Sequence, residues 1–171
     1  MPTTQDPIST ERLRFTIGRF DHYYETVNSK GSFFLGINTA IMGGLFLLLF
    51  DNGVSKLPTS FWTNALLGVA FLTSAGSILY TLLAIVPYTK RGSRTNLFFG
   101  NIASRSEEEF VRSVKEETAG EHLGDLAGQA HTLAKGLHAK FWKLRIAGIL
   151  LGICFSALLV LGVIILSNTN T

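Results

Sequence analysis

"IAGILLGICFSALLVLGVIILS", Ile146–Ser167, is the stretch that decides the fold. It carries no charge and is long enough for one helix to cross the apolar layer of a bilayer, which takes about 18 to 20 residues. Two more runs of the kind precede it, Ser32–Phe50 and Phe61–Tyr88, both uncharged. A chain of 171 residues holding three such runs has too little polar surface left to wrap them as a soluble core. Composition agrees, with 16% charged residues against roughly 25% in soluble domains. The first run follows some thirty polar residues and no small-residue cleavage site comes after it, so it reads as a span and not as a signal peptide.

Working outward from the spans, the cations give an orientation. Of the fifteen Lys and Arg, Arg12, Arg14, Arg19 and Lys30 precede the first run, Lys56 lies in the Asp51–Ser60 loop, and the rest fall between Thr89 and Arg145. Cations collect on the cytoplasmic side. The expected protein is therefore an all-α membrane protein with three transmembrane helices, a small cytoplasmic helical bundle and a cytoplasmic N-terminus. Its expected parts are an N-terminal amphipathic helix (1–31), spans at 32–50, 61–87 and 146–167, and a cytoplasmic sensor region (88–145). Trp62 and Tyr88 bracket the second span as interface aromatics do.

The polar parts read as helix. Leu13, Ile17, Phe20, Tyr24 and Val27 recur at three- or four-residue steps and make one stripe, with Pro7 and Ser9 suited to the start and Gly31 a soft point before the span. Ser104 with Glu107, and Ser106 with Glu109, both match the Ser-x-x-Glu capping box, so a helix begins there and carries Phe110, Val111 and Val114. Thr118-Ala-Gly120 breaks it. A second helix from near Glu121 shows Leu123, Leu126, Ala130, Leu133, Leu137 and Leu144 at heptad-like steps and runs unbroken into the third span.

Within the spans, Asn38 needs a partner on another helix, as packing glue or as a pore-lining group. Small residues recur every fourth position at Ser32, Gly36, Ala40 and Gly44, at Thr73, Ser77 and Thr81, and at Gly148, Gly152 and Ser156. Such rows let helices approach closely, either inside one bundle or between copies, so a homo-oligomer is expected. Cys154 is alone in an apolar run and reads as a small filler. His131 and His138 stand one heptad apart without a completing carboxylate, and no nucleophile–base motif or phosphate-binding glycine loop is present. The chain reads as non-enzymatic, with no cofactor, no metal and no nucleic-acid polymer as partner.

"KRGSRTNLFFGNIASRSEEEF", Lys90–Phe110, sets three cations beside two phenylalanines. The cations fix topology and the rings can dip among headgroups. Alternatively, arginines pair a phosphate and aromatic rings stack on a base, which would make a site for a small anion.

Three stretches also carry a resemblance: "FDHYYETVNSKGSFFLGINTAIMGG", "RTNLFFGNIASRSEEEFV" and "EHLGDLAGQAHTLAKGLHAKFWKLRIA". In their order and spacing they resemble the PycTM family, the transmembrane effectors of Pycsar antiphage defence. The resemblance implies a separately encoded pyrimidine cyclase that makes cyclic UMP or cyclic CMP on infection. It also implies an effector that answers by impairing the inner membrane, so that the cell dies before phage are released. Chemistry then nominates Arg94, Asn96, Phe98, Phe99, Asn101 and Arg105 as ligand-binding residues, with Arg19, Tyr23 or Lys30 assisting. Competing readings are an accessory subunit of a larger membrane complex, a related effector gated by another nucleotide messenger, and, most weakly, a membrane enzyme.

Overall fold

A computed structural model describes residues 7–50, 60–86 and 96–169. They form five helices and, among the described residues, no strand: α1 (Pro7–Phe50), α2 (Phe61–Ile85), α3 (Phe99–Ile102), α4 (Glu107–Glu116) and α5 (Ala119–Thr169). α1, α2 and α5 are each long and apolar enough to cross a membrane, so the protein is an all-α membrane protein with three candidate spans. Contacts divide the chain into two units. Unit 1 draws on residues 1–26 and 87–139, unit 2 on residues 27–86 and 140–171. α1 and α5 each contribute residues to both, and α1 stays helical past Gly31. Lys90, Arg91 and Arg94, the cations that open the basic stretch, lie outside the described residues, as does Tyr88.

In unit 2 the three spans pack on small and branched side chains. Leu45, Ala70, Cys154 and Ala157 form a buried cluster, with Ile41, Leu66, Leu67, Phe71 and Leu158 against it. Beside it sits a polar knot. Asn38 is fully buried, and its Nδ2 donates to Ser77 Oγ at 2.9 Å and to the Phe34 carbonyl at 2.9 Å. Ser74 Oγ donates to Asn38 Oδ1 at 3.1 Å, and Ser77 Oγ donates to the Ala147 carbonyl at 2.9 Å. One amide thus ties α1 to α2, and Ser77 passes the tie on to α5. Hydrocarbon offers no hydrogen bonds, so these groups are satisfied by each other. Asn38 is packing glue in this arrangement.

The small-residue rows divide by helix. On α2 the inward face is Ala70, Ser74, Ser77, Thr81 and Ala84, all buried, so Ser77 and Thr81 of the expected row serve the internal packing. On α1 the row Ser32, Gly36, Ala40 and Gly44 is exposed throughout, and on α5 so are Gly152 and Ser156. Gly148 alone of its row meets a neighbour, with Phe34 3.3 Å from where a Cβ would stand.

Unit 1 is built from the N-terminal part of α1, from α3 and α4, and from the first turns of α5. Leu126, Ala130 and Leu137 are buried, as their heptad-like spacing requires. Tyr24 donates its hydroxyl to the Leu133 carbonyl at 3.0 Å, pinning α1 to α5 within this unit. Arg14 and His122 meet at 3.3 Å, and His122 faces Glu117 at 3.6 Å.

Local signals set the helix starts. Ser106 caps α4 by accepting from the Glu109 backbone N–H at 3.2 Å, whereas Ser104 turns its hydroxyl to the Asn101 carbonyl at 2.9 Å. Of the two overlapping Ser-x-x-Glu motifs, the later one supplies the cap, through the Ser106 hydroxyl. Thr118, expected only as part of a break, is itself a cap. Its backbone N–H and hydroxyl donate to Glu121 Oε2 at 2.8 and 2.7 Å, and its Oγ1 lies 3.3 Å from the Glu121 N–H. This reciprocal Thr-x-x-Glu box starts α5 at Ala119, two residues before the expected position.

Candidate ligand cleft in the polar unit

The sequence nominated residues on both sides of α3, and the structure gathers some of them. Asn96 and Arg105 come together across the α3 turn, with Arg105 Nη1 donating to Asn96 Oδ1 at 2.8 Å. Both are half-buried. Ser113 on α4 joins them, its Oγ 3.3 Å from Arg105 Nη1 and 3.0 Å from Asn96 Oδ1. The Asn96 backbone N–H donates to Asp125 Oδ2 on α5 at 3.1 Å. Three segments therefore converge on one polar point, and a cleft of about 400 Å³ opens beside it.

The remaining nominees stand apart. Asn101 is buried and does not line the cleft; its backbone N–H donates to the Phe98 carbonyl at 2.9 Å. Phe98 and Phe99 stack on each other, tilted, with ring centroids 4.9 Å apart, and Phe99 is 70% exposed. The Phe98 ring folds back over Gly100, where an added Cβ would sit 2.6 Å from Cε1, so glycine is required for this pose. Arg94 falls outside the described residues. Arg19 and Tyr23 form their own surface on α1 with Phe15, Gly18 and His22; Arg19 donates to the Tyr23 hydroxyl at 2.8 Å, its guanidinium 5.8 Å from the ring centre. Lys30 belongs to unit 2.

The cleft also has members that the sequence reading passed over: Glu109, Ser113 and Glu116 on α4, Glu117 between the helices, and Glu121 and Asp125 on α5. Their spacing held the signal. Glu109, Ser113 and Glu116 recur at i, i+4 and i+7, and Glu121 and Asp125 at i, i+4, so each set shares one helix face. What spacing could not give is that the two faces look into the same space. Backbone and hydroxyl hydrogen bonds from Thr118 hold the Glu121 carboxyl below the ordinary glutamate range. Among the described residues, no three His, Cys, Asp or Glu side chains converge as a metal site.

Chemically the cleft is asymmetric. One guanidinium and one amide are set among five carboxylates, of which Asp125 accepts from the Asn96 backbone N–H. An anion fits only beside Arg105, while hydroxyl and N–H donors fit anywhere along the acidic wall.

Three apolar spans together with a polar helical unit that holds a cleft of about 400 Å³ define a polytopic helical membrane protein. The chain belongs to the PycTM family: the family model for the Pycsar effector protein domain matches residues 12–167, from the first polar turns of α1 to the end of the third span. That membership gives it an effector role in antiphage defence. No curated protein and no solved structure matches the chain.

Proposed function

We propose that the protein senses cyclic UMP or cyclic CMP, made by a partner pyrimidine cyclase, and responds by impairing the inner membrane so that infection aborts. The observation that carries this reading is the Asn96–Arg105 pair at the mouth of the cleft in unit 1. The cyclic phosphate pairs with Arg105. The ribose hydroxyl and the N–H donors of the base face Glu109, Glu116, Glu117, Glu121 and Asp125, which accept hydrogen bonds. Phe98 and Phe99 offer ring faces nearby in sequence, and Arg94, outside the described residues, is the second cation nominated from the sequence. The chain itself performs no catalysis, needs no cofactor and works as a homo-oligomer. The exposed small rows of α1 and α5 support that last point, because three helices alone enclose no wide pore. The distribution of cations supports a cytoplasmic N-terminus and a cytoplasmic unit 1.

Thermal melting of the purified protein with each nucleotide is the direct test. Cyclic UMP or cyclic CMP raises the melting temperature and cyclic AMP does not. In cells, the Arg94→Ala, Arg105→Ala pair abolishes toxicity on cyclase induction while the protein still reaches the membrane. A double variant that still kills removes this site. A response only to another messenger class favours the related-effector reading, and no response to any nucleotide favours an accessory subunit.

A further inference from the structure

The end of α2 is held in an unusual way. A helix leaves its last carbonyls without intrahelical donors, and at a membrane edge water can satisfy them. Here two lysines of α5 do so. Lys140 Nζ donates to the carbonyls of Ala84 at 2.6 Å and Ile85 at 3.0 Å, and Lys143 Nζ donates to that of Leu83 at 3.1 Å. Lys140 is only 5% exposed. Cations are favoured at a helix C-terminus, and the carbonyl contacts offset the repulsion between two ammoniums three residues apart. The same last turn is gripped from α1. Ile85 lies against Gly31, with its Cγ1 and Cδ1 2.9 Å from where a Cβ would stand.

All of these residues belong to unit 2, and they stand where the chain changes unit: the chain leaves unit 2 after Val86, just past the end of α2, and α5 enters it at Lys140. Elsewhere the spans are joined by buried apolar contacts and by the Asn38 knot, which exchange poorly in lipid. The ammonium–carbonyl contacts differ, because water can replace either partner and a lipid phosphate can replace the carbonyls as acceptor.

We propose that the Lys140–Lys143 clamp on the last turn of α2 is the restraint that keeps the membrane unit in its resting arrangement, and that loosening it brings on membrane damage without messenger. This rests on the proposed function, in that damage must be what the spans do when released. Lys140→Met and Lys143→Met keep the apolar stem and remove the ammonium, and Lys140→Arg keeps a cationic donor. Each is expressed in cells with and without the pyrimidine cyclase, and membrane potential is followed with a voltage-sensitive dye. Amounts in the membrane fraction are matched.

Lys140→Met is expected to depolarise cells without the cyclase. Lys143→Met, which loses one bond, lowers the inducer level needed for half depolarisation about tenfold, the effect of one hydrogen bond to a charged group. Lys140→Arg behaves as wild type. If both Met variants reach the membrane and need as much cyclase as wild type, or fail to respond at all, the clamp is not the restraint. If Lys140→Met does not accumulate, the Lys143→Met threshold decides. A wild-type protein that leaves the potential unchanged with the cyclase present refutes the proposed function. The clamp is then judged by the cyclase-free depolarisation of Lys140→Met alone.

Discussion

Replacing Asn38 with leucine measures what the buried polar knot contributes. Two of its hydrogen bonds cross from α1 to α2: Nδ2 to Ser77 Oγ at 2.9 Å, and Oδ1 from Ser74 Oγ at 3.1 Å. Side-chain hydrogen bonds between membrane helices average about 0.6 kcal/mol, with a maximum near 1.7 kcal/mol, because the unfolded chain in the membrane also finds partners. Two lost bonds therefore give about 1.2 kcal/mol of destabilisation. The penalty for stranded groups is small. Ser77 Oγ keeps the Ala147 carbonyl at 2.9 Å, and Ser74 can turn to a carbonyl one turn earlier. Ser77→Ala breaks the same Asn38 bond and also the link to Ala147. The double variant should then cost less than the sum of the singles, with a coupling of about 0.6 kcal/mol. The assay is equilibrium unfolding in mixed micelles of rising denaturing-detergent fraction, followed by helical circular dichroism. Strict additivity, or an Asn38→Leu protein more stable than wild type, would refute the reasoning.

Other changes give sharper signs. Ser106→Ala should destabilise by about 1 kcal/mol and fray α4, whereas Ser104→Ala should leave α4 amide exchange unchanged, since only Ser106 caps it. Thr63→Val should be neutral or stabilising by up to about 1 kcal/mol, because Thr63 Oγ1 is buried without a partner and its removal strands nothing. Gly100→Ala should drive the Phe98 ring off its seat, visible as altered Phe98 and Phe99 ring resonances. The Glu121 carboxyl is depressed first by the Thr118 backbone N–H and then by its hydroxyl, so its contribution is present above the unfolded value of about 4.3 and is lost as pH falls through the lower folded value. NMR titration should show Thr118→Ala raising the Glu121 pKa only part of the way toward the ordinary value and reducing that acid sensitivity, since the hydroxyl is lost and the backbone N–H stays.

The spans were legible because lipid imposes one demand, a long uncharged helix, and the sequence states it directly in Ile146–Ser167. The stripe Leu126, Ala130 and Leu137 was legible for the same kind of reason, since one face must be buried. Choices between near-equal local solutions were not. Ser104 and Ser106 match the same motif, and which one caps depends on where the α3 turn ends. The site was half legible. Asn96 and Arg105 are nine residues apart and meet because α3 closes a tight turn between them. Asp125 and Glu109 come from separate helices, and only tertiary packing sets them around one cleft. The nominated Asn101 is buried and does not line the cleft, which its place in a polar stretch does not announce.

Under the proposed function, the energetics limit which contacts the signal can change. Moving a two-state equilibrium from 1:99 to 99:1 takes about 5.5 kcal/mol of differential binding. Hydrogen bonds to charged groups contribute about 1.5–3 kcal/mol each, so the bonds from Lys140 and Lys143 are together of the same order as that differential. Unpacking Leu45, Ala70, Cys154 and Ala157 together with the Asn38 knot would exceed it, since large-to-small changes at single core positions already cost about 2–5 kcal/mol. The transition should therefore remake the end of α2 and leave the knot closed. Hydrogen exchange on the liposome-embedded protein separates the two. Adding nucleotide should speed exchange at the Val86 amide, now bonded to the Leu82 carbonyl at 3.0 Å, and leave the amides around Asn38 and Ser77 protected. Equal acceleration at both places would mean that the spans come apart as a whole and that the α2 joint has no separate role.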